Sequence, residues 1–434
     1  MGTDAVAVIG FIALFALMLL RVPVGMAMGL VGVTGFGCVV GEPQALALVG
    51  TTVTRTVSNY NFGIIPMFLL MGAVVSASGV SRELFRTANT FLGHLRGGLG
   101  VATIAACAGF AAISGSSVAT AATFATVAYP EMRQYRYPPA FATGVIAAGG
   151  TLGAMFPPST VLAVYGLITE QDIGKLFVAG IVPGCLAVAM YMATIALIGS
   201  LLPGYLPVGP RSTAAARLAA LRDVWAPLLL FLFVIGGLYG GLFTPTEAGG
   251  MGAGGAFLIG VLRRRLSPRQ ILQALLHATR TAAAVFTVLI GALLFGYFLT
   301  VTETPQRVTE LLTSLGLGRY GVLALIMLMY LVLGCLMDAL AMIILTVPII
   351  FPVVVNTLGF DPIWFGVIIV MTVELGLIHP PVGMNVFVIK TVVPEVSFLT
   401  IFKGVAPFIV TDVLRLVILI AFPILALYLP EHMP

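Results

Sequence analysis

Apolar residues run in long, nearly unbroken stretches from Ala5 to Leu429, separated by short segments that hold most of the polar side chains. A stretch of about 17–25 apolar residues crosses roughly 30 Å of hydrocarbon as a helix. The pattern predicts spans near Ala5 to Leu20, Val24 to Val40, Phe62 to Ala77, Ala140 to Tyr165 and Leu176 to Leu202 in the first half. A second set follows near Trp225 to Phe243, Ala248 to Leu262, Thr281 to Thr300, Phe365 to Val393 and Val405 to Leu429. In each half an over-long apolar segment stands between the third and fourth spans. The first stretch lacks a basic start and an A-x-A cleavage site, so it is expected to be a retained helix.

The two sets repeat one another. Thr151 to Gly166 (TLGAMFPPSTVLAVYG) matches Glu374 to Lys390 (ELGLIHPPVGMNVFVIK) through a shared Leu-Gly-x-x-x-Pro-Pro core, at an offset of 223 residues. The same shift, within a residue or two, pairs Pro139 with Pro362 and the amphipathic stretch Pro43 to Arg55 with Pro268 to Arg280. Three matches in register predict a duplication: a first repeat over 1–203, a cytoplasmic linker over 204–223 and a second repeat over 224–434.

An odd number of crossings per repeat turns the second repeat over in the membrane. Basic residues at Arg82 to Arg96, Arg133 to Arg136, Arg211 to Arg222 and Arg263 to Arg280 are expected on the cytoplasmic side, and Thr169 to Asp172 and Thr244 to Glu247 outside. The halves then enter from opposite sides, as inverted-repeat transporters do. The over-long segment near 97–129 has basic loops at both ends, so it should enter and return, turning at Ser114-Gly115-Ser116-Ser117. Its counterpart near 322–357 would enter from the other face and turn near Asp338. Re-entrant backbone survives only where protein or a water-filled cavity satisfies it, so two opposed hairpins imply a central polar site. The expected fold is an all-α polytopic membrane protein, an inverted-repeat transporter with two re-entrant helical hairpins.

Composition removes the competing classes. Sixty percent of residues are hydrophobic and 9% charged; with mean hydropathy at +1.12, no soluble globular chain of this kind is expected. The formal net charge of +5 reports orientation and not nucleic acid, because Lys and Arg sit in short segments between apolar runs. Cys38, Cys107, Cys185 and Cys335 stand singly and are expected as free thiols. No nucleophile elbow, Walker loop or paired-carboxylate site is present, which disfavours an enzyme.

The candidate chemistry lies where apolar runs are interrupted. Pro157-Pro158 and Pro380-Pro381 each remove an amide donor inside a span, freeing main-chain oxygens. Because both halves repeat the break before polar or flexible residues (Ser159, Thr160; Gly383, Asn385), the pair marks a transporter binding site more than a packing kink. Asp338 needs a partner, either a coupling cation (sodium or a proton) or nearby backbone. Glu374 is similar and could pair with a helix terminus. His379 is a proton site or a hydrogen-bonded structural group. Ser114, Ser116, Ser117, Thr120 and Thr123 suit a hard cation or the capping of half-helix ends.

These residues resemble the large membrane subunit of tripartite ATP-independent periplasmic (TRAP) transporters. The resembling pieces are GFAAISGSSVATAAT (Gly109 to Thr123), Tyr129 to Gly166, GLFTPTEAGG (Gly241 to Gly250) and ELGLIHPPVGMN (Glu374 to Asn385), and with the order of spans they cover nearly the whole chain. The resemblance implies an elevator-type fold in the bacterial inner membrane. It also implies sodium-driven uptake of an organic acid, such as a dicarboxylate, from a periplasmic binding protein. A separate small four-span subunit is implied too, since the first span here already belongs to the first repeat. By the same resemblance, one sodium site would use Ser114, Ser117, Gly153, Phe156 and Pro158. Its pseudo-equivalent would use Gly334, Asp338, Gly376, His379 and Pro381, and Ser116, Ser159, Thr160, Gly383 and Asn385 would line the substrate side. The family usually shows Thr where His379 stands and an aliphatic residue where Phe156 stands. A self-sufficient ion-coupled anion transporter of related architecture is the alternative.

Overall fold

A computed structural model describes residues 2–335 and 337–433, and the described residues are almost entirely helical. The first half contains α1 (Thr3–Leu19), α2 (Val24–Val40), α3 (Glu42–Ser58), α4 (Ile64–Ala77) and α5 (Val80–Leu92). A hairpin of α6 (Gly98–Ser114) and α7 (Ser117–Gln134) follows, then the interrupted pair α8 (Pro139–Met155) and α9 (Thr160–Thr169), α10 (Ile173–Ala179) and α11 (Ile181–Leu201). The second half repeats the order as α12 (Ala214–Tyr239), α13 (Pro245–Leu262), α14 (Pro268–Val301) and α15 (Thr304–Ser314). Its hairpin is α16 (Gly318–Gly334) and α17 (Ala339–Phe351), extended by a π turn over Pro352–Thr357; α18 (Pro362–Ile378), α19 (Met384–Val392), α20 (Phe398–Ala421) and α21 (Ile424–Glu431) complete it. Among the described residues seven helical segments are long and apolar enough to cross a membrane by themselves, and the chain is a multi-pass membrane protein.

Helix starts follow from short polar side chains that satisfy orphan amides at the first turn. Ser116, Ser159, Thr213 and Asp361 cap α7, α9, α12 and α18. Thr244 with Glu247, and Ser267 with Gln270, form capping boxes at α13 and α14. The cap at Thr213 starts α12 inside the stretch 204–223, so the expected linker is helical from Ala214 onward. The two amphipathic stretches also differ. In the first half Asn59 turns its side chain onto the Asn61 amide (2.9 Å) and separates α3 from α4. At the matching place the second half has Ala282-Ala283-Ala284, strong helix formers, and α14 runs unbroken for 34 residues.

Contacts between the halves are reciprocal. The second span of each half packs on the third span of the other, α2 on α14 and α13 on α4, and α4 meets α14. In the other group α7 packs on α19 and α17 on α9, with α8 against both α18 and α20. Close approach of these helices requires small residues. A Cβ on Gly291 would stand 1.9 Å from the Gly25 carbonyl oxygen, and one on Gly404 1.7 Å from that of Ala140. In lipid such close backbone packing does the work that water expulsion does in soluble proteins. The interrupted helices form the centre: every residue of α18 from Ile363 to Ile378 is buried, as is every residue from Ala142 to Tyr165.

Candidate ion and substrate site

The first hairpin turns at Ser114-Gly115-Ser116, and its tip lies on the break between α8 and α9. Gly115 adopts φ +61°, and a Cβ there would stand 2.1 Å from the Pro158 carbonyl oxygen; only glycine allows the tip this close. Thr160, in the first turn of α9, donates its hydroxyl to the Gly115 carbonyl (3.1 Å). Gly153, near the end of α8, faces the Ser116 carbonyl at a distance where a Cβ would be only 2.4 Å away. The hydroxyls are held by neighbours: Ser114 meets Thr120 at 3.3 Å, Thr120 donates to the Ser116 carbonyl at 2.8 Å, and Ser117 reaches the Thr151 carbonyl at 3.5 Å. Ser114, Ser117, Gly153, Phe156 and Pro158 are therefore gathered around one interrupted helix, all buried. Pro157-Pro158 and Pro380-Pro381 both carry cis peptide bonds.

The second hairpin approaches α18 in the corresponding way, through Gly334 and Gly376, whose Cα atoms nearly touch; a Cβ on Gly376 would lie 2.7 Å from Gly334 Cα. Asp338 caps α17, its Oδ1 accepting from the amides of Leu340 (2.9 Å) and Ala341 (3.3 Å). Both bonds are made within its own helix. His379 holds Nδ1 2.7 Å from the Pro380 carbonyl, and its ring stands 3.9 Å from Cys335 Sγ. Pro381 is exposed, whereas its counterpart Pro158 is enclosed.

The expected substrate-side residues divide. Ser116 and Ser114 line a cavity of about 450 Å³ between the first hairpin and the α4–α14 pair, where Ser76, Gln273, His277 and Thr281 form the facing wall. Ser159, Thr160, Gly383 and Asn385 do not line it; they are buried. Ser159 caps α9 through the Leu162 amide (3.1 Å), and Asn385 donates to the Ala147 carbonyl (3.4 Å). A second cavity, about 890 Å³, opens at the other ends of the same helices, lined by Asn59, Tyr60, Glu170, Asp172 and Thr246 among others.

One constellation was not singled out from sequence. Arg415 donates to Asp412 (3.0 Å) one turn earlier on α20, and Tyr191 of α11 donates to both Asp412 oxygens at 2.8 and 2.7 Å. The Tyr191 hydroxyl also meets Thr151 Oγ1 at 3.0 Å, on the residue whose carbonyl receives Ser117. A buried charge pair is thereby connected to the hairpin tip. The signal was available: two charged residues inside an otherwise apolar span are a functional flag in a membrane chain.

The model of the family described as "Tripartite ATP-independent periplasmic transporter, DctM component" matches residues 11–425. This chain belongs to that family. Among its members, the C4-dicarboxylate TRAP transporter large permease protein DctM of Pseudomonas aeruginosa is 36% identical, over 90% of this chain and 91% of the relative. That of Rhodobacter capsulatus is 33% identical over 98% and 99%. The sialic acid TRAP transporter large permease protein SiaM of Vibrio cholerae is 31% identical over 86% and 87%. The fold is also similar to the solved Alcanivorax borkumensis YdaH transporter, described as having an unusual topology, with a TM-score of 0.53, 15% identity and 90% of each chain covered. As a DctM-family large permease the chain is placed in the bacterial inner membrane.

Proposed function

We propose that this chain is the moving, ion-coupled subunit of a sodium symporter that imports a small organic acid. The acid is delivered by a periplasmic binding protein, and the chain works beside a separate small membrane subunit. The observation that carries the reading is the repeated union of a hairpin tip with an interrupted helix, Gly115 on Pro158 and Gly334 on Gly376. Each break frees main-chain oxygens beside hydroxyl or carboxylate groups, the donor set a hard monovalent cation takes.

An elevator motion fits the same geometry. The group built on α8, α9, α18 and α19 carries both hairpin tips, and the α2–α14 and α4–α13 pairs form a separate wall. Cavities lie between the two groups at opposite ends, so sliding one past the other would exchange access. Ser114 and Ser116 would present the acid to the α14 wall on one side. Relatives named for C4-dicarboxylate and sialic acid favour a carboxylate as cargo.

The test is uptake of a labelled C4-dicarboxylate, with sialic acid in parallel, into proteoliposomes under an inward sodium gradient. Uptake is expected only when the large chain, the small subunit and the loaded binding protein are all present. Omission of either partner should leave background and no leak. Robust sodium-driven uptake by the large chain alone would overturn the tripartite reading in favour of a self-sufficient anion transporter. Uptake indifferent to sodium would overturn the coupling.

A further inference from the structure

The wall that faces the first hairpin across the cavity of about 450 Å³ is a polar stripe on one helix. Gln270, Gln273, His277 and Thr281 of α14 line the cavity, and residues three or four apart share a helix face. Leu272, Leu275 and Leu276 on the remaining faces are exposed. The helix therefore turns its leucines to lipid and its amide and imidazole groups inward, toward Ser114 and Ser116. Polar side chains kept on the inner side of a membrane helix mark a solute path. The stripe is not a legacy of the duplication. Counting from the prolines that open the paired amphipathic stretches, Pro43 and Pro268, the first repeat has Leu48 and Thr52 where the second has Gln273 and His277. An asymmetry of this kind in a repeated fold calls for a reason outside the fold. Gln270 has a local one, since its Oε1 accepts from the Ser267 amide and hydroxyl, both at 2.9 Å; Gln273 and His277 stand one and two turns further along.

The cavity suits an anion. Its volume falls in the range of small-molecule sites, and no Asp or Glu stands among the described residues that line it, whereas Glu170 and Asp172 border the cavity at the other end. Gln273 offers two N–H donors, and His277 is the one side chain among the described lining residues able to carry positive charge. Arg263, Arg264, Arg265 and Arg269 lie just before the stripe, which puts its start on the cytoplasmic side. We propose that Gln273 and His277 are specificity-determining residues, donating hydrogen bonds to a carboxylate of the acid at the cytoplasmic end of its path. The inference rests on the organic-acid reading above and adds the share of the fixed wall. The mobile hairpin brings hydroxyls, and the wall brings nitrogen donors that reach the cargo only in this arrangement, so they govern affinity on the inner side and not capture outside.

The experiment uses proteoliposomes that hold the large chain with the small subunit under an inward sodium gradient. Binding protein loaded with labelled succinate is added outside, so that only outward-oriented chains are read, and unlabelled succinate is sealed in the lumen; sialic acid is run in parallel. Lumenal acid of the transported kind should inhibit wild-type uptake saturably. His277→Ala should raise the half-inhibitory lumenal concentration about tenfold, as the loss of one hydrogen bond to a charged group does. His277→Gln keeps an N–H donor and should raise it less; His277→Asp sets a like charge against the acid and should raise it more; Gln273→Ala should act in the direction of His277→Ala. The concentration of loaded binding protein that half-saturates uptake should stay as in the wild type. A merely structural role would lower the maximal rate and leave half-inhibition unmoved. Wild-type uptake indifferent to lumenal acid, or half-inhibition unmoved in both His277→Ala and His277→Asp, would overturn the inference and leave the import reading standing; so would a parallel shift in half-saturation by the binding protein. Absence of sodium-driven uptake of either acid by the wild type would overturn both. If His277→Ala yields no folded protein, His277→Asp and Gln273→Ala decide by the same criterion.

Discussion

Gly153 offers a sharp test of the idea that an ion is held between hairpin and helix break. Replacing it with alanine places a methyl 2.4 Å from the Ser116 carbonyl oxygen, 2.5 Å from its carbon and 2.6 Å from the Ser117 amide nitrogen. All three are main-chain atoms and cannot swing aside. Ordinary contact lies near 3.5 Å, so the tip must retreat by roughly 1 Å, carrying Ser117 away from α8. Overpacking of this kind costs about 1–3 kcal/mol. If the strain is relieved by opening the tip, the ion loses that much affinity, and half-saturating sodium rises about 5- to 150-fold. The assay is the sodium dependence of uptake in proteoliposomes containing both partners. Gly254→Ala is the control, because nothing lies within 4 Å of a Cβ there and alanine is the better helix former; it should fold and transport normally. Normal sodium half-saturation in folded Gly153→Ala would show that tip closure and ion binding are independent, and would refute the reasoning.

Three further outcomes are expected. Cysteines at the exposed Arg82 and Gln134, in a background lacking the four native cysteines, should both resist an impermeant thiol reagent added outside and both react in inverted vesicles; labelling of only one from outside would break the first hairpin's topology. Asp338→Asn keeps an acceptor for the Leu340 amide but removes the charge, so the protein should insert while sodium dependence weakens about tenfold; unchanged dependence would restrict Asp338 to capping α17. Tyr191→Phe deprives the Asp412 oxygens of their hydroxyl donor, and the loss of a bond to a buried charge should destabilise the chain by about 1–3 kcal/mol, seen as a lower melting temperature; an unchanged melting curve would mean that water replaces the hydroxyl without cost.

Much of this protein is determined locally, and the sequence alone therefore reveals it. Spans follow from runs of apolar residues, because in hydrocarbon a helix satisfies its own backbone. Helix starts follow from Ser, Thr and Asp at the caps, and the hairpin turns follow from Ser114-Gly115-Ser116 and from Asp338. The repeated Pro-Pro breaks were legible because proline interrupts a helix in any surroundings. What sequence could not decide was which side chains are left over once the helices pack. Asp338 offers a carboxylate to an ion or to backbone from sequence alone, and only the fold shows that its Oδ1 accepts from two amides of its own helix. Only the packing of the interrupted helices shows that Ser159 caps α9, that Thr160 bonds the Gly115 carbonyl and that Asn385 bonds the Ala147 carbonyl. Glu374 and Ala154, 220 residues apart, meet only because α18 crosses α8, and Asp412 reaches Tyr191 only because α20 lies along α11. Such pairings depend on distances between helices that no local pattern encodes, and the charge balance of the buried centre emerges from them.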